Sequence, residues 1–126
     1  MHDAKSLIIE YLAALSGRPK EQNSVRQYVS DEGLAKHIAE VEAAFPRYEI
    51  LTEDILADGD KVVVRGEFRG VHRGNFAGVQ PTGKSVSAGL IIIYVVEDGR
   101  IVNHWMQFDL FSLMEQLRAA PVSQTA

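Results

Sequence analysis

Asp109 closes the run Asn103-His-Trp-Met-Gln-Phe-Asp109, and His72 stands where a strand-like segment runs into a glycine-rich loop. A carboxylate and an imidazole are the side chains that most readily move protons near neutral pH. If strict alternation holds along 101–109, Ile101, Asn103, Trp105, Gln107 and Asp109 share one face, and Val102, His104, Met106 and Phe108 share the other. The first face mixes large apolar groups with polar tips, as ligand-pocket walls do. Desolvation draws carboxyl groups towards neutral titration, so a shielded carboxyl at the end of that row suits a general acid or base. Asp109 also stands just before Leu110-Phe-Ser-Leu113, where an aspartate caps a helix, and the two roles are compatible. His72 could hydrogen-bond a substrate carbonyl, take a proton, or pair with Asp109 if the strands curve together; otherwise it is a solvated loop side chain. His37 follows a helix face containing Leu34, Ile38 and Val41, so it looks into a pocket or borders the core. His104, opposite Asp109 on a regular strand, is not expected to be its partner.

The loop carries a misleading pattern. Gly78-Val-Gln-Pro-Thr-Gly-Lys-Ser85 matches the nucleotide-phosphate motif G-x-x-x-x-G-K-[ST]. Such a loop works because backbone N–H groups and the positive end of a following helix surround the phosphates. Here Ser85 leads into Val-Ser-Ala-Gly-Leu-Ile-Ile-Ile-Tyr-Val-Val96, a β-branched run that reads as a buried strand, and Pro81 removes a donor. An NTPase reading is therefore rejected.

The elements that must position these residues follow from periodicity. Leu7, Ile8, Tyr11, Leu12 and Leu15 recur at helical spacing behind Asp3, with Gly17 and Pro19 as the stop. A short helical piece over 24–29 leads to Ser30 and Asp31, either of which can cap a helix with Leu34, Ile38, Val41 and Phe45 on one face, ended by Pro46. Alternation then takes over. Tyr48, Ile50 and Thr52, and beyond an Asp58-Gly59 turn Val62, Val64, Gly66 and Phe68, mark a hairpin. A strand over 86–97, an Asp98-Gly99 turn and a partner over 101–108 mark a second, and Leu110, Leu113, Met114 and Leu117 a closing helix before a tail that frays from Pro121. Helices first and then about four antiparallel strands define an α+β layout in which a curved sheet wraps against helices and leaves room for a pocket.

Residues 1–126 read as one domain, with no repeat or linker. With 17 acidic and 13 basic residues the net charge is −4 and no basic stripe is present, which argues against nucleic acid as a partner. The longest apolar run, 90–96, is far short of the roughly 20 residues that span a bilayer. No membrane association is expected. Cysteine is absent, which removes disulfides and thiolate chemistry and fits a cytoplasmic setting. The histidines at 2, 37, 72 and 104 share no ligand spacing, so no metal site is expected. No serine sits in G-x-S-x-G.

Two segments carry a family resemblance. Gly70-Val-His-Arg-Gly-Asn-Phe-Ala-Gly-Val-Gln-Pro-Thr-Gly-Lys84 and Ile93-Tyr-Val-Val-Glu-Asp-Gly-Arg-Ile-Val-Asn-His-Trp-Met-Gln-Phe-Asp109 resemble the SnoaL-like polyketide cyclases of the nuclear-transport-factor-2-like superfamily. The resemblance is strong over about residues 45–118. It implies a cone-shaped α+β barrel with one deep pocket, usually in a homodimer, with no metal or organic cofactor. It also implies that Asp109 matches the acid/base of an intramolecular aldol closure of a polyketide ester, and that His72 matches the family's Thr-His-x-Gly histidine, with Val71 in place of threonine. On the strands around the acid, where more histidine or glutamine is expected, this chain offers Ile92, Tyr94 and Gln107, and it has Pro46-Arg47 in place of Pro-Asp. Three readings follow: a cofactor-free cyclase using Asp109 and His72; a binding protein in which His37, Phe76, Tyr94, Trp105 and Gln107 hold a small apolar ligand; and an isomerase or epoxide hydrolase, which needs further acids or an Asp-Arg-Asp group around the pocket and gains if Arg65, Glu67 and Arg69 face it.

Overall fold

The computed structural model describes residues 3–119; His2 and the tail expected to fray from Pro121 lie outside them. Asp3 caps α1 (Ala4–Leu15) by accepting the Ser6 N–H at 2.7 Å, and Leu7, Ile8, Tyr11, Leu12 and Leu15 form its buried stripe. Gly17 follows with φ +73°, a left-handed exit that favours glycine. The short α2 (Gln22–Arg26) buries Val25. Asp31, rather than Ser30, caps α3 (Glu32–Ala44), accepting the Leu34 N–H at 3.1 Å. Behind it Phe45 is fully buried.

Four strands, β1 (Glu49–Asp58), β2 (Lys61–Val71), β3 (Ser85–Glu97) and β4 (Arg100–Phe108), form one antiparallel sheet in the order β1-β2-β3-β4. It is curved and open, with the helices rather than further strands covering its inner face. The central strands keep strict alternation: Val62, Val64 and Phe68 on β2, and Val86, Ala88, Leu90, Ile92 and Tyr94 on β3, are buried.

Each edge strand breaks that alternation once. Opposite Gly66 and Arg65, β1 places Thr52 and Asp54 with Glu53 as an extra residue; opposite Val95 and Val96, β4 places Asn103 and Ile101 with Val102 extra. A bulge residue reverses the side-chain phase of everything beyond it. Ile101 is therefore buried, yet His104, Met106 and Phe108 are the inward-facing residues further along, while Asn103, Trp105 and Gln107 belong to the exposed phase. The expected single face from Ile101 to Asp109 does not exist. Trp105, expected in a pocket wall, is 53% exposed on the outer face.

The 72–84 loop is tied down at three places. The His72 N–H donates to Lys84 O and the Gly83 N–H to His72 O, prolonging the β2–β3 ladder. The Arg73 and Gly74 N–H groups both donate to Ala44 O at the end of α3. At Gly74 a Cβ would lie 2.3 Å from Ala43 O, so only glycine permits this approach. Phe76 and Val79 exchange two backbone hydrogen bonds around Ala77 and Gly78, both at positive φ. Lys84, the lysine of the phosphate-like pattern, donates its ammonium to the carbonyls of Gln116, Leu117 and Ala119 at the end of α4 (Leu110–Arg118). It caps a helix C-terminus, where a cation complements the macrodipole. With β3 following Ser85, the pattern has neither the helix nor the free lysine that a phosphate site requires.

Candidate functional site

Between the inner sheet face and the helices lies one cavity of about 450 Å³, walled by Leu12, Ile38, Val41, Phe45, Phe68, Phe76, Leu90, Ile92, Phe108 and Leu113 among others. The same sequence features that build the core build this wall. Inward residues of β2 and β3 meet the stripes of α1 and α3, and Phe45 supports the loop end by packing edge-on against Phe68 and Phe76 at 5.2 Å each.

Polar groups are few and deep. Tyr11 and Tyr94 pack edge-on with rings 5.7 Å apart, and burial holds both hydroxyls, and that of Tyr48, well above the usual phenol range. Lys20, only 6% exposed, donates to Tyr48 O at 2.8 Å and Arg18 O at 2.9 Å, stands 3.3 Å from Glu42 Oε1, and lies over the Tyr48 ring at 4.0 Å. Burial lowers its pKa, against the opposing pull of Glu42 and Glu49. Nothing local in the sequence marks Lys20 as buried, whereas Tyr11 and Tyr48 already sit on apolar periodic positions. Among lining residues, His37, Gln107 and Leu110 are exposed and so mark the opening, between α3 and the β4–α4 junction.

The structure thus gathers some expected residues and disperses others. Phe76 and Tyr94 line the cavity, and His37 and Gln107 stand at its rim. Trp105 does not reach it. His72 is fully buried but is not among the lining residues. Its Nδ1 accepts the Thr82 N–H at 3.1 Å and lies 3.0 Å from the Thr82 hydroxyl, its ring is tilted on Phe45 at 5.3 Å, and its Nε2 has no partner among the described residues. Instead of the solvated position or the Asp109 pairing that the sequence left open, it is buried and pins the loop. Asp109 is exposed, not shielded beside Trp105: its Oδ1 accepts the Ser112 N–H at 3.0 Å and caps α4. Its chain neighbours Phe108 and Leu110 line the cavity, which sets the carboxylate beside the opening. Arg65 bridges Glu53 and Asp54, and Arg69 bridges Glu67, all on the sheet face away from the cavity. The isomerase or epoxide-hydrolase reading gains nothing from these three residues.

One pair was not legible from the sequence. His104, turned inward by the Val102 bulge, donates from Nδ1 to Asp31 Oδ2 at 2.7 Å, and both side chains are largely covered. Along α3 from Asp31, His37 is exposed at one edge, but its pKa is lowered first by desolvation where the ring enters the cavity rim and then by the charge of His104, with Glu40 opposing. Among the described residues no three His, Asp or Glu side chains gather as metal ligands, and no helix is long and apolar enough to cross a membrane.

An open, curved antiparallel sheet folded over helices around an apolar cavity defines a pocket protein of the nuclear-transport-factor-2-like class. The family model for SnoaL-like polyketide cyclases matches residues 10–117, and the chain belongs to that family. Similar solved structures include AclR of Streptomyces galilaeus, described as a candidate hydroxylase, with 27% identity over 97% of this chain and 85% of that one at TM-score 0.78. TsrD of Streptomyces laurentii has 27% identity over 90% of this chain and 93% of its own at TM-score 0.75. IdmH of Streptomyces antibioticus, described as a candidate polyketide cyclase, has 25% identity over 92% and 99% at TM-score 0.75. No curated protein matches the chain in sequence.

Proposed function

We propose that this protein binds a polyketide-like ester in the cavity and closes a ring in it by cofactor-free acid/base aldol chemistry. The observation that carries this reading is the enclosed aromatic and aliphatic wall with its polar atoms confined to the tyrosine floor, Lys20 and the rim. In such a closure a base removes a proton from carbon between two carbonyls, the enolate carbon attacks a third carbonyl carbon, and the new alkoxide takes up a proton, with no atoms gained or lost. The flanking carbonyls already acidify the carbon, so folding the chain into a near-attack shape is the main demand on the protein. Asp109, beside the opening, is the acid/base group the family resemblance supplies. Incubation with an aryl β-ketoester that carries a further ketone within ring-closing reach is expected to give an isomer of unchanged mass, and Asp109→Asn, which keeps a cap, is expected to cut turnover about 100-fold or more while leaving thermal stability nearly unchanged. Unchanged turnover in the variant would remove Asp109 from the chemistry. Tight retention of the ester without conversion by the native protein would favour a binding protein instead.

We also propose that the protein is a homodimer joined through the outer sheet face. Leu56, Val63, Ile93 and Trp105 are register partners across all four strands, forming an apolar row in which Leu56 is 66% and Trp105 53% exposed. A tryptophan so placed is a common anchor of interfaces. Light scattering is expected to give a dimer for the native protein and a monomer for Trp105→Glu; a native monomer at micromolar concentration would overturn this.

A further inference from the structure

A substrate enclosed in the cavity meets five ionisable side chains: Tyr11, Lys20, His37, Tyr48 and Tyr94. The three tyrosines are kept protonated by burial. The ammonium hydrogens of Lys20 are taken up by Arg18 O, Tyr48 O and Glu42. Among the described residues no Asp or Glu lines the cavity. His37 remains, at the opening, with no hydrogen bond from another side chain among the described residues. We propose that His37 is the group that accepts the carbon-bound proton in this cavity, leaving Asp109, beside the opening, to return one to the new alkoxide. The inference rests on the cavity reading but not on the identity of the natural substrate.

The electrostatics agree with the geometry. The charged groups acting on His37 are His104 on β4, which disfavours its protonation, and Glu40 on α3, which favours it; burial, the largest influence, acts in the same direction as His104. A base must be unprotonated at working pH, and these influences keep the imidazole neutral to lower pH than its ordinary value near 6.5. Asp31 holds the His104 ring by Nδ1, which fixes its orientation towards α3.

The test uses a nitrobenzisoxazole, a flat apolar probe that reports proton abstraction from carbon. His37 takes the ring C–H proton, the C–H electron pair becomes part of a nitrile, the ring N–O bond breaks, and the oxygen leaves as a coloured phenolate. The unreactive nitrobenzotriazole of the same shape reports binding by calorimetry. The native protein is expected to bind the triazole and to eliminate the isoxazole with a rate that rises as His37 deprotonates. His37→Gln is expected to bind the triazole comparably and lose about 100-fold or more in rate. Binding with equal rates in the native and His37→Gln proteins overturns the assignment of the base. Absence of triazole binding overturns the cavity reading and this inference with it.

Discussion

Replacing Phe45 with alanine is expected to remove about 3–5 kcal/mol of folding stability, a large share of what a domain of this size has in reserve. Phe45 is fully buried, and its ring meets Phe68 and Phe76 edge-on at 5.2 Å each and the His72 imidazole at 5.3 Å. Truncation loses the transfer free energy of the ring and leaves a void that its neighbours cannot fill. The β2 backbone lies close by at Gly70, where a Cβ would come within 3.0 Å of the Phe45 Cβ, and Gly74 already touches the end of α3. Gly74 cannot move inward without breaking its hydrogen bond to Ala44 O, nor can β2 at Gly70 without leaving its pairing with Val86 on β3. The void would be continuous with the cavity, since Phe45, Phe68 and Phe76 all line it. Urea unfolding should show a lower midpoint with an unchanged slope. A loss below about 1.5 kcal/mol would mean that the loop collapses onto the void and that the aromatic cluster is not a rigid wall.

Alkaline pH is the second large effect. Tyr11, Tyr48 and Tyr94 all have folded-state pKa values raised by burial above the ordinary phenol value. From about pH 10 upward the unfolded chain releases these protons while the native state retains them, so the native state binds more protons and stability falls as pH rises. With three such groups the slope reaches about 4 kcal/mol per pH unit once the unfolded tyrosines are fully ionised. Lys20 acts the other way: its folded-state pKa is lowered, so its contribution rises with pH up to its ordinary value near 10.5 and then stops changing. Stability is therefore expected to hold to about pH 10 and collapse beyond about 10.5. Urea midpoints measured across that interval check this, and a flat profile to about pH 11.5 would show that water reaches the tyrosine floor.

Local chemistry in the sequence is sufficient for the element order and the caps. Asp3, Asp31 and Asp109 each precede an apolar helical repeat and each accepts a backbone N–H three residues on. The Asp-Gly pairs at 58–59 and 98–99 stand at the two hairpin turns, with Gly59, Asp98 and Gly99 at positive φ. The strand after Ser85 is legible from its β-branched run, which disposes of the phosphate-loop pattern before any coordinates are seen. These features are set by interactions between residues a few positions apart, and such interactions survive in a one-dimensional pattern.

The contents of the cavity are a different matter. One extra residue at Val102 decides that His104, and not Trp105, faces the helices, and nothing in the run Ile101-Val-Asn-His-Trp announces it; a bulge is fixed by the partner strand's register. Asp31 and His104 are 73 positions apart, and Lys20 meets the carbonyl of Tyr48 28 positions on. The sequence by itself determined an α+β domain with a pocket-forming sheet, its helix caps and its hairpins. Only the tertiary structure decided which titratable groups share the cavity, because that depends on edge-strand phase and on contacts between distant segments. The two residues singled out first show the division: Asp109 keeps its cap beside the opening, His72 is spent on its loop, and His37 is left facing the space where the chemistry is proposed.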